Sequence, residues 1–270
     1  MLGEANRLKW GGVVVYSGLT FSRLRISTGV LTNVAARDRA VVDLLTEAGI
    51  AVEVGDSEAT TEFVNHVTGD RRRQELLSRA TPISASQLTG IAAGVPHVYL
   101  GPLHPLDIEP EAMKVLQAVD RVSMDIQGYT RRIEGTDVLS GVSEHLRPAL
   151  EQADIVTASR NETEAVVGFY GEELEAIVQS FGIEEWLTTD GKEGGWVLTR
   201  SGQRHEFPAA PVEKVIDPTG AGDVFFAAYL TYHLYEGASI EVALRRAAAQ
   251  TARQVEGRFI RASELATQQD

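Results

Sequence analysis

Residues Val215 to Tyr229 read VIDPTGAGDVFFAAY, a stretch that passes from a short apolar approach through a turn of small residues into a helix. Gly220, Ala221 and Gly222 carry almost no side chain, so their backbone amides can come close to a ligand. A helix that starts near Gly222 leaves its first amides without partners and points the positive end of its dipole outward. The stretch therefore predicts an anion site suited to a phosphoryl group.

Asp223 falls in the first turn of this helix, beside the predicted anion site. One interpretation is a carboxylate that only stabilises the helix N-terminus. The other is a general base that faces an incoming hydroxyl group, and position alone leaves both open. Two other phosphate-binding motifs are absent. The stretch is not a Walker loop, because no Gly-Lys-Ser/Thr follows, and it is not a dinucleotide fingerprint, because Phe225 stands where that motif needs glycine.

Upstream of this stretch, short β-rich apolar runs alternate with longer amphipathic segments. This order predicts βαβ units and a mainly parallel sheet. The predicted strands are 95–100, 121–126, 154–157, 185–188 and 195–198, and the predicted helices are 112–119, 142–152, 162–167 and 174–181, followed by two helices within 222–254 that break at 236–238.

Residues Thr60 to Gln74 differ from their surroundings, because polar and apolar residues alternate around a turn at Thr68, Gly69 and Asp70. This pattern predicts a β-hairpin. A hairpin that projects from a parallel sheet serves either as a lid or as a plain edge hairpin, and the pattern favours neither.

Composition excludes several classes of function. The chain of 270 residues is 43% hydrophobic and 23% charged, as an ordinary globular α/β protein is, and its net charge of −13 disfavours nucleic acid and anionic membranes as partners. Cysteine is absent, which excludes disulfides and thiolate sites and suits a reducing cytoplasm. No apolar run approaches the ~20 residues that span a bilayer. Histidines 97 and 104 are interpreted as structural, since no pair of histidines has metal-ligand spacing.

The stretch DPTGAGD at 217–223 resembles the C-terminal signature of the ribokinase-like, or PfkB-type, carbohydrate kinases. In that family the second aspartate is the catalytic base and the Gly-Ala-Gly amides form an anion hole. The resemblance therefore implies these roles for Asp223 and for Gly220, Ala221 and Gly222. The first aspartate helps to position a monovalent cation such as K⁺ in members that use one, which implies that role for Asp217.

Further matches follow in the family's order, from about Gly11 to Gly257. NETEA follows a predicted strand, as does the family's Asn-x-x-Glu motif, which organises Mg²⁺ and the nucleotide phosphates largely through water. The resemblance implies that Asn161 and Glu164 do so here, with Glu164 as the carboxylate near Mg²⁺. An N-cap followed by first-turn acids would produce the same pattern.

The segment LTTDGKEGGW matches the family's Thr-x-Gly-x-x-Gly nucleotide turn at Thr189, Gly191 and Gly194. The alternative is an ordinary β-turn between two strands. The small-residue run AAAQTARQVEG resembles the helix and turn that wall the adenine site in the family, which implies that Gly257 lies beside the nucleotide.

The matches on the substrate side are shorter. Gly11 and Gly12 precede a helix-like run, as does the family's Gly-Gly pair, whose backbone approaches the substrate. DIQGYTR follows a predicted strand, and the resemblance implies that Asp125, Gln127 and Arg131 contact substrate hydroxyls or a substrate phosphate. A structural Asp–Arg pair is the alternative.

One feature of the family is expected to be missing. Members begin with a strand that carries a substrate-binding aspartate well ahead of the Gly-Gly pair, whereas Gly11 stands almost at the start here. We therefore expect either that the true start lies upstream or that the chain is a shortened member, with the small β lid incomplete at the N-terminus. Many relatives dimerise through lid strands, so a homodimer is the assembly that the resemblance implies.

Together these features predict a single α/β domain over 1–270, with a mainly parallel central sheet flanked by helices and a lid hairpin near 58–75. The resemblance implies a kinase that uses ATP and Mg²⁺ to phosphorylate a hydroxyl of a small polyol: a sugar, an inositol or a nucleoside. One alternative is a non-catalytic regulatory protein on the same fold, which the missing strand favours and the intact Asp223 opposes. A further alternative is an NAD-dependent oxidoreductase, but the chain lacks the glycine fingerprint of that class.

Overall fold

The computed structural model describes residues 8–68 and 71–267. Contacts divide the chain into two compact units. Unit 1 comprises Met1–Val30, Ala40–Val52 and Phe207–Asp270, and unit 2 comprises Leu31–Arg39 and Glu53–Glu206. The single domain expected over 1–270 stays a prediction, and each unit is described by itself.

The helices and strands follow in chain order. The α-helices are α1 (Val13–Arg23), α2 (Ala40–Glu47), α3 (Ala85–Ala92), α4 (Leu146–Leu150), α5 (Arg160–Tyr170), α6 (Leu174–Phe181), α7 (Ala221–Leu230) and α8 (Ile240–Val255). The strands are β1 (Gly29–Ala35), β2 (Ala51–Ser57), β3 (Glu62–Thr68), β4 (Arg71–Ser78), β5 (His97–Leu100), β6 (Arg121–Asp125), β7 (Arg131–Glu134), β8 (Asp137–Ser140), β9 (Ile155–Ser159), β10 (Glu185–Thr189), β11 (Gly195–Thr199) and β12 (Arg204–Phe207). Short 3₁₀ helices cover Ala36–Asp38, Pro110–Ala118, Gln127–Thr130 and Gly191–Glu193, and a π-helix covers Thr231–Tyr235.

The central sheet has the strand order β12-β11-β10-β9-β6-β5. Strands β5, β6, β9 and β10 pair in parallel, and β11 runs antiparallel to β10. The parallel strands read as nearly continuous apolar runs because they are covered on both faces, and Ile155 and Trp186 are fully buried. The mainly parallel sheet flanked by helices is therefore confirmed.

A second sheet in unit 2 has the order β3-β4-β8-β7, with all its strand pairs antiparallel. Strands β3 and β4 form the predicted hairpin, although Gly69 and Asp70 of its turn lie outside the described residues. The hairpin β7–β8, which turns at Gly135 with a φ of 62°, was not predicted. Whether this sheet is the expected lid stays a prediction.

Two of the predicted helices differ from the structure, and a proline explains the second difference. Residues 112–118 of the predicted 112–119 belong to the 3₁₀ helix Pro110–Ala118, and α4 covers only five residues of the predicted 142–152. Proline has no amide hydrogen and clashes with the preceding turn, so Pro148 is tolerated only in a first turn. It therefore prevents α4 from extending back to residue 142.

Helix α7 forms the centre of unit 1. Its residues from Val224 to Leu230 are all buried, and the longer helices α1 and α8 pack against it. Hence its sequence is apolar on every side instead of amphipathic. Within 8–68 and 71–267, none of the helices combines the length and the hydropathy that crossing a membrane requires.

His97 opens β5 in a half-buried position, with its Nε2 atom 2.8 Å from the hydroxyl oxygen of Ser123 on β6. Burial, helped by the charge of Arg121, lowers the pKa of His97 from 6.5 to about 4. The ring therefore stays neutral near pH 7. This agrees with its interpretation as a structural histidine.

We expect His97 to make the protein sensitive to acid. The unfolded chain binds a proton below pH 6.5 while the folded state does not, so the stability present above pH 6.5 is lost as pH falls towards 4. That difference in pKa corresponds to about 3 kcal/mol of unfolding free energy. Denaturant titrations from pH 7 to pH 4 should show a flatter dependence for His97→Gln than for the wild type. An unchanged slope in His97→Gln would contradict the expectation.

Candidate active site

The first turn of α7 carries the predicted anion site and the predicted base. Gly220 is the N-cap residue, with a φ of 73° and no side-chain hydrogen bond to cap the helix. The Ala221 amide donates to the carbonyl of Pro218 at 3.2 Å, which closes the turn before the helix begins. Asp223 follows in the first turn and is half-buried. The local geometry is thus the one that the sequence predicted.

Tyr16 of α1 lies against this turn, and the sequence analysis did not identify it. A Cβ atom added to Gly220 would lie 2.3 Å from the Tyr16 ring, and one added to Gly11 would lie 3.8 Å from it. The ring therefore lies between the two glycine motifs of unit 1. Burial raises the pKa of the Tyr16 hydroxyl, and the charges of Asp217 and Asp223 raise it further, so the hydroxyl stays protonated. No local pattern in the sequence marks Tyr16 as a neighbour of a turn about 200 residues later.

Gly12 also needs to be glycine. It is the N-cap residue of α1, with a φ of 79°, and its carbonyl accepts the amide of Tyr16 at 3.2 Å. That backbone conformation strains any residue that carries a Cβ atom. The predicted Gly-Gly pair thus forms the turn into α1 and sets the start of the helix that carries Tyr16.

The carboxylate of Asp217 is already engaged by donors from the protein. Its Oδ1 atom accepts the amide of Thr219 at 3.0 Å, and its Oδ2 atom accepts the ammonium of Lys9 at 3.0 Å. Burial raises the pKa of this carboxyl group, but the hydrogen bonds from Thr219 and Lys9 outweigh it, so the net change is downward. Because the Lys9 ammonium already supplies a positive charge at Oδ2, Asp217 as arranged does not fit the monovalent cation that the resemblance implied. Lys9 was missed by the sequence analysis.

The end of α8 lies beside the approach to the anion turn. The amides of Ile216 and Asp217 both donate to the carbonyl of Val255, at 2.9 and 3.1 Å. Gly257 has a φ of 65°, and a Cβ atom there would lie 3.2 Å from Ile216. Val215 and Ile216 remain 63% and 57% exposed. This apolar surface next to Gly257 suits a flat ring such as a nucleobase.

The remaining predicted residues lie in unit 2, where three parallel strands end at one edge of the central sheet. Ser159 and Thr189 are register partners at the ends of β9 and β10. Asp125 ends β6 and is the register partner of Thr157 on β9. Ligands in open α/β sheets bind outside the carboxyl ends of the strands. The sheet thus places the predicted donor motifs and Asp125 at that edge.

Helix α5 starts with a capping box that excludes one interpretation of NETEA. Ser159 is the N-cap residue, and Glu162 returns a hydrogen bond to its backbone amide. Thr163 points inward to Trp186, while Asn161 and Glu164 are exposed. The N-cap interpretation of Asn161 is therefore wrong. Both are oxygen-bearing side chains open to solvent, the kind of ligand that suits Mg²⁺ held through water. Among the described residues, no group of three or more His, Cys, Asp or Glu side chains is arranged to hold a metal ion.

The turn after β10 contains the predicted Thr-x-Gly-x-x-Gly residues. Gly191 and Gly194 both have positive φ, of 53° and 91°, and the amide of Asp190 donates to the Gly194 carbonyl at 2.7 Å. Arg160, the first residue of α5, pairs with Asp190 through a 2.7 Å contact. This ion pair joins the turn to the helix that carries Asn161 and Glu164. Arg160 was not predicted.

The third group is the segment after β6. The Oδ1 atom of Asp125 accepts the amide of Gln127 at 2.7 Å and so caps the 3₁₀ helix that follows. Arg131 donates to the carbonyl of Leu103 at 2.8 Å, and its guanidinium lies 5.0 Å from the ring centre of Phe63. Asp125 and Arg131 thus each have a structural role, and their contact with substrate stays a prediction.

His104 lies in the loop after β5, and its Nδ1 atom is 3.0 Å from both the Arg79 guanidinium and the amide of Leu106. Burial lowers its pKa to about 4, and the charges of Arg79, Arg131 and His145 contribute. A neutral ring that accepts from a backbone amide is a structural histidine, as predicted.

Comparison with known proteins shows the family to which the chain belongs. The model of the pfkB family of carbohydrate kinases matches residues 22–260. Over 88 residues the chain is 39% identical to fructokinase from Escherichia coli and 32% identical to cytidine kinase from Thermococcus kodakarensis. Each match covers 32% of this chain, and they cover only 28% and 31% of those two proteins.

A solved structure covers far more of the chain. It is a pyrophosphate-dependent kinase in the ribokinase family, complexed with a pyrophosphate analogue and myo-inositol. The two chains are 28% identical, with a TM-score of 0.79 over 91% of this chain and 86% of that one. The ribokinase-like fold is confirmed. Kinases of this family transfer a phosphoryl group to a hydroxyl acceptor, and the chain belongs to the pfkB family of carbohydrate kinases.

Proposed function

We propose that this protein is a kinase that transfers the γ-phosphoryl group of ATP to a hydroxyl group of a small polyol. The observation that carries the proposal is the start of α7, where Gly220 opens a helix without a side-chain cap and Asp223 follows in the first turn. An uncapped helix N-terminus attracts a phosphoryl group, and a carboxylate beside it can accept a proton from the attacking hydroxyl.

In this mechanism Asp223 removes the proton from the acceptor hydroxyl while the oxygen of that hydroxyl forms a bond to the γ-phosphorus. The bond between the γ-phosphorus and the bridging oxygen breaks, and ADP leaves with the electron pair. The amides of Gly220 and Gly222 hold the charge that develops on the transferred group, while the Ala221 amide, which donates to the Pro218 carbonyl, would have to leave that bond to join them. Phosphoryl transfer depends mainly on such positioning and charge stabilisation, so few side chains are needed.

The donor is assigned to two groups of residues. The family resemblance assigns contact with the nucleotide to Thr189, Gly191 and Gly194, and it assigns a place beside the base to Gly257. Asn161 and Glu164 would hold Mg²⁺ through water, which suits two exposed oxygen-bearing side chains. When bound, the ion neutralises phosphate oxygens.

The acceptor is assigned to Gly11, Gly12, Asp125, Gln127 and Arg131. Fructokinase, cytidine kinase and the myo-inositol complex among the relatives all point to a compact molecule with several hydroxyl groups. We propose an inositol or a sugar before a nucleoside, because the inositol-bound structure matches most of both chains.

Pyrophosphate is the second candidate donor, since that same structure is of a pyrophosphate-dependent kinase. Pyrophosphate has no base and needs no apolar surface. The exposed Val215 and Ile216 beside Gly257 favour a nucleotide, because a base would cover apolar area that otherwise faces water.

The test is a matrix of two donors against a panel of acceptors. ATP and pyrophosphate, each with Mg²⁺, are incubated with inositols, hexoses, pentoses and nucleosides, and phosphorylated product is measured. We expect turnover with ATP and one class of polyol. Turnover only with pyrophosphate would overturn the donor assignment, and ATP binding without turnover on any acceptor would favour the regulatory alternative.

A substitution in the apolar surface formed by Val215 and Ile216 tests whether the donor carries a base. Ile216→Asp should raise the KM for ATP about tenfold or more, because a charge replaces apolar contact with the base. The KM for the acceptor should not change. The matched variant Val242→Asp changes an exposed valine on α8 and should leave both constants unaltered.

A further inference from the structure

The pairing of Lys9 with Asp217 is not explained by the proposed roles. The Lys9 side chain is 38% exposed and the Asp217 side chain 19%, with 3.0 Å between Nζ and Oδ2. An exposed lysine pair of this kind is usually worth little to stability. Here, however, the carboxylate belongs to the turn that leads into Gly220, and its other oxygen holds the amide of Thr219.

The backbone around Lys9 is held in place by the C-terminal segment of the same unit. Lys9 forms an antiparallel bridge with Ala266, and the amide of Trp10 donates to the carbonyl of Leu265 at 2.8 Å. The segment is tied to α1 in turn, since Arg23 contacts both the carbonyl of Phe259 and the carboxylate of Glu264. The backbone that presents the lysine to Asp217 is therefore held by a β-bridge and by the hydrogen bond of the next residue.

An ammonium group and a potassium ion carry the same charge, and both bind carboxylate oxygens. A tethered ammonium adds no requirement for an ion from solution, because its effective concentration at the carboxylate is set by the fold. We propose that Lys9 takes the place of a monovalent cation at Asp217, so that this enzyme works without K⁺. The proposal rests on the proposed kinase function and treats Lys9 as a positioning residue that acts through Asp217 and the turn at Thr219.

Two measurements test this in KCl and in tetramethylammonium chloride at equal ionic strength: kcat and the midpoint of thermal unfolding. The wild type should give the same values in both salts. Lys9→Met should be about 10-fold slower in tetramethylammonium chloride, as expected for a half-exposed charge-assisted hydrogen bond. KCl should restore much of that rate and should raise the unfolding midpoint of this variant alone.

Two further variants serve as controls. Lys214→Met removes an exposed lysine of the same unit and should behave as the wild type in both salts. Lys9→Arg keeps the charge and should stay independent of K⁺. If no acceptor is ever phosphorylated, the proposed function fails, yet the unfolding midpoints still report whether K⁺ binds.

Three results would overturn the proposal. The first is a wild-type enzyme whose rate or unfolding midpoint rises in KCl only. The second is a Lys9→Met variant with the wild-type rate and no response to K⁺. The third is a Lys9→Met variant whose lost activity KCl does not restore. The lysine would then have a role that a cation cannot take.

Discussion

Replacing Asp223 by asparagine should lower kcat by about 10²–10⁴-fold while the KM for ATP changes little, because a general base typically contributes that much. Asparagine keeps the size of the side chain and can still accept a hydrogen bond, but it cannot take up the proton of the acceptor. The loss should therefore appear in the chemical step. Single-turnover measurements at saturating ATP and acceptor would isolate it.

The chain offers a matched control for the competing interpretation of Asp223 as a helix-stabilising carboxylate. Asp43 is an exposed aspartate in the first turn of α2, in the same unit. Asp43→Asn should lose only the interaction with the helix dipole, about 0.3–1 kcal/mol of stability, and no activity. If Asp223→Asn shows the same small loss of stability and keeps near-full turnover, its role as a base is wrong.

Replacing Gly220 by alanine should cost about 2–5 kcal/mol of unfolding free energy, the sum of two separate penalties. The first is the left-handed backbone, since a φ of 73° disfavours any residue with a Cβ atom. The second is a collision, since the new Cβ atom would lie 2.3 Å from the Tyr16 ring inside a buried region. Equilibrium denaturation would give the stability, and activity should fall with the distortion of the turn.

Gly237→Ala separates the two penalties. Gly237 has a φ of 70° but nothing within 4 Å of the added Cβ atom, so only the backbone cost of about 1–2 kcal/mol should remain. On a Tyr16→Ala background, Gly220→Ala should likewise cost about 1–2 kcal/mol. Equal losses in Gly220→Ala and Gly237→Ala would show that the ring yields and that the contact is unimportant.

Much of the fold could be predicted because its signals are local. Strand β10 and helix α6 were predicted to within one residue, since their apolar patterns are strong and glycine follows α6 directly. The hairpin β7–β8 was missed because its strands have only four residues each, and half of those residues are charged. A proline was enough to shorten the predicted helix at 142–152.

The sequence by itself determined the turn from Asp217 to Asp223, because small residues, a helix start and an acid next to it are encoded within seven consecutive positions. Only the tertiary structure decided what touches that turn. Lys9 and Tyr16 are about 200 residues away along the chain, and no local pattern marks either as a neighbour of Asp217 or Gly220. The same holds for Arg160 and Asp190, which meet because two parallel strands end side by side. Contacts between distant segments depend on how the elements pack, and packing depends on the whole chain.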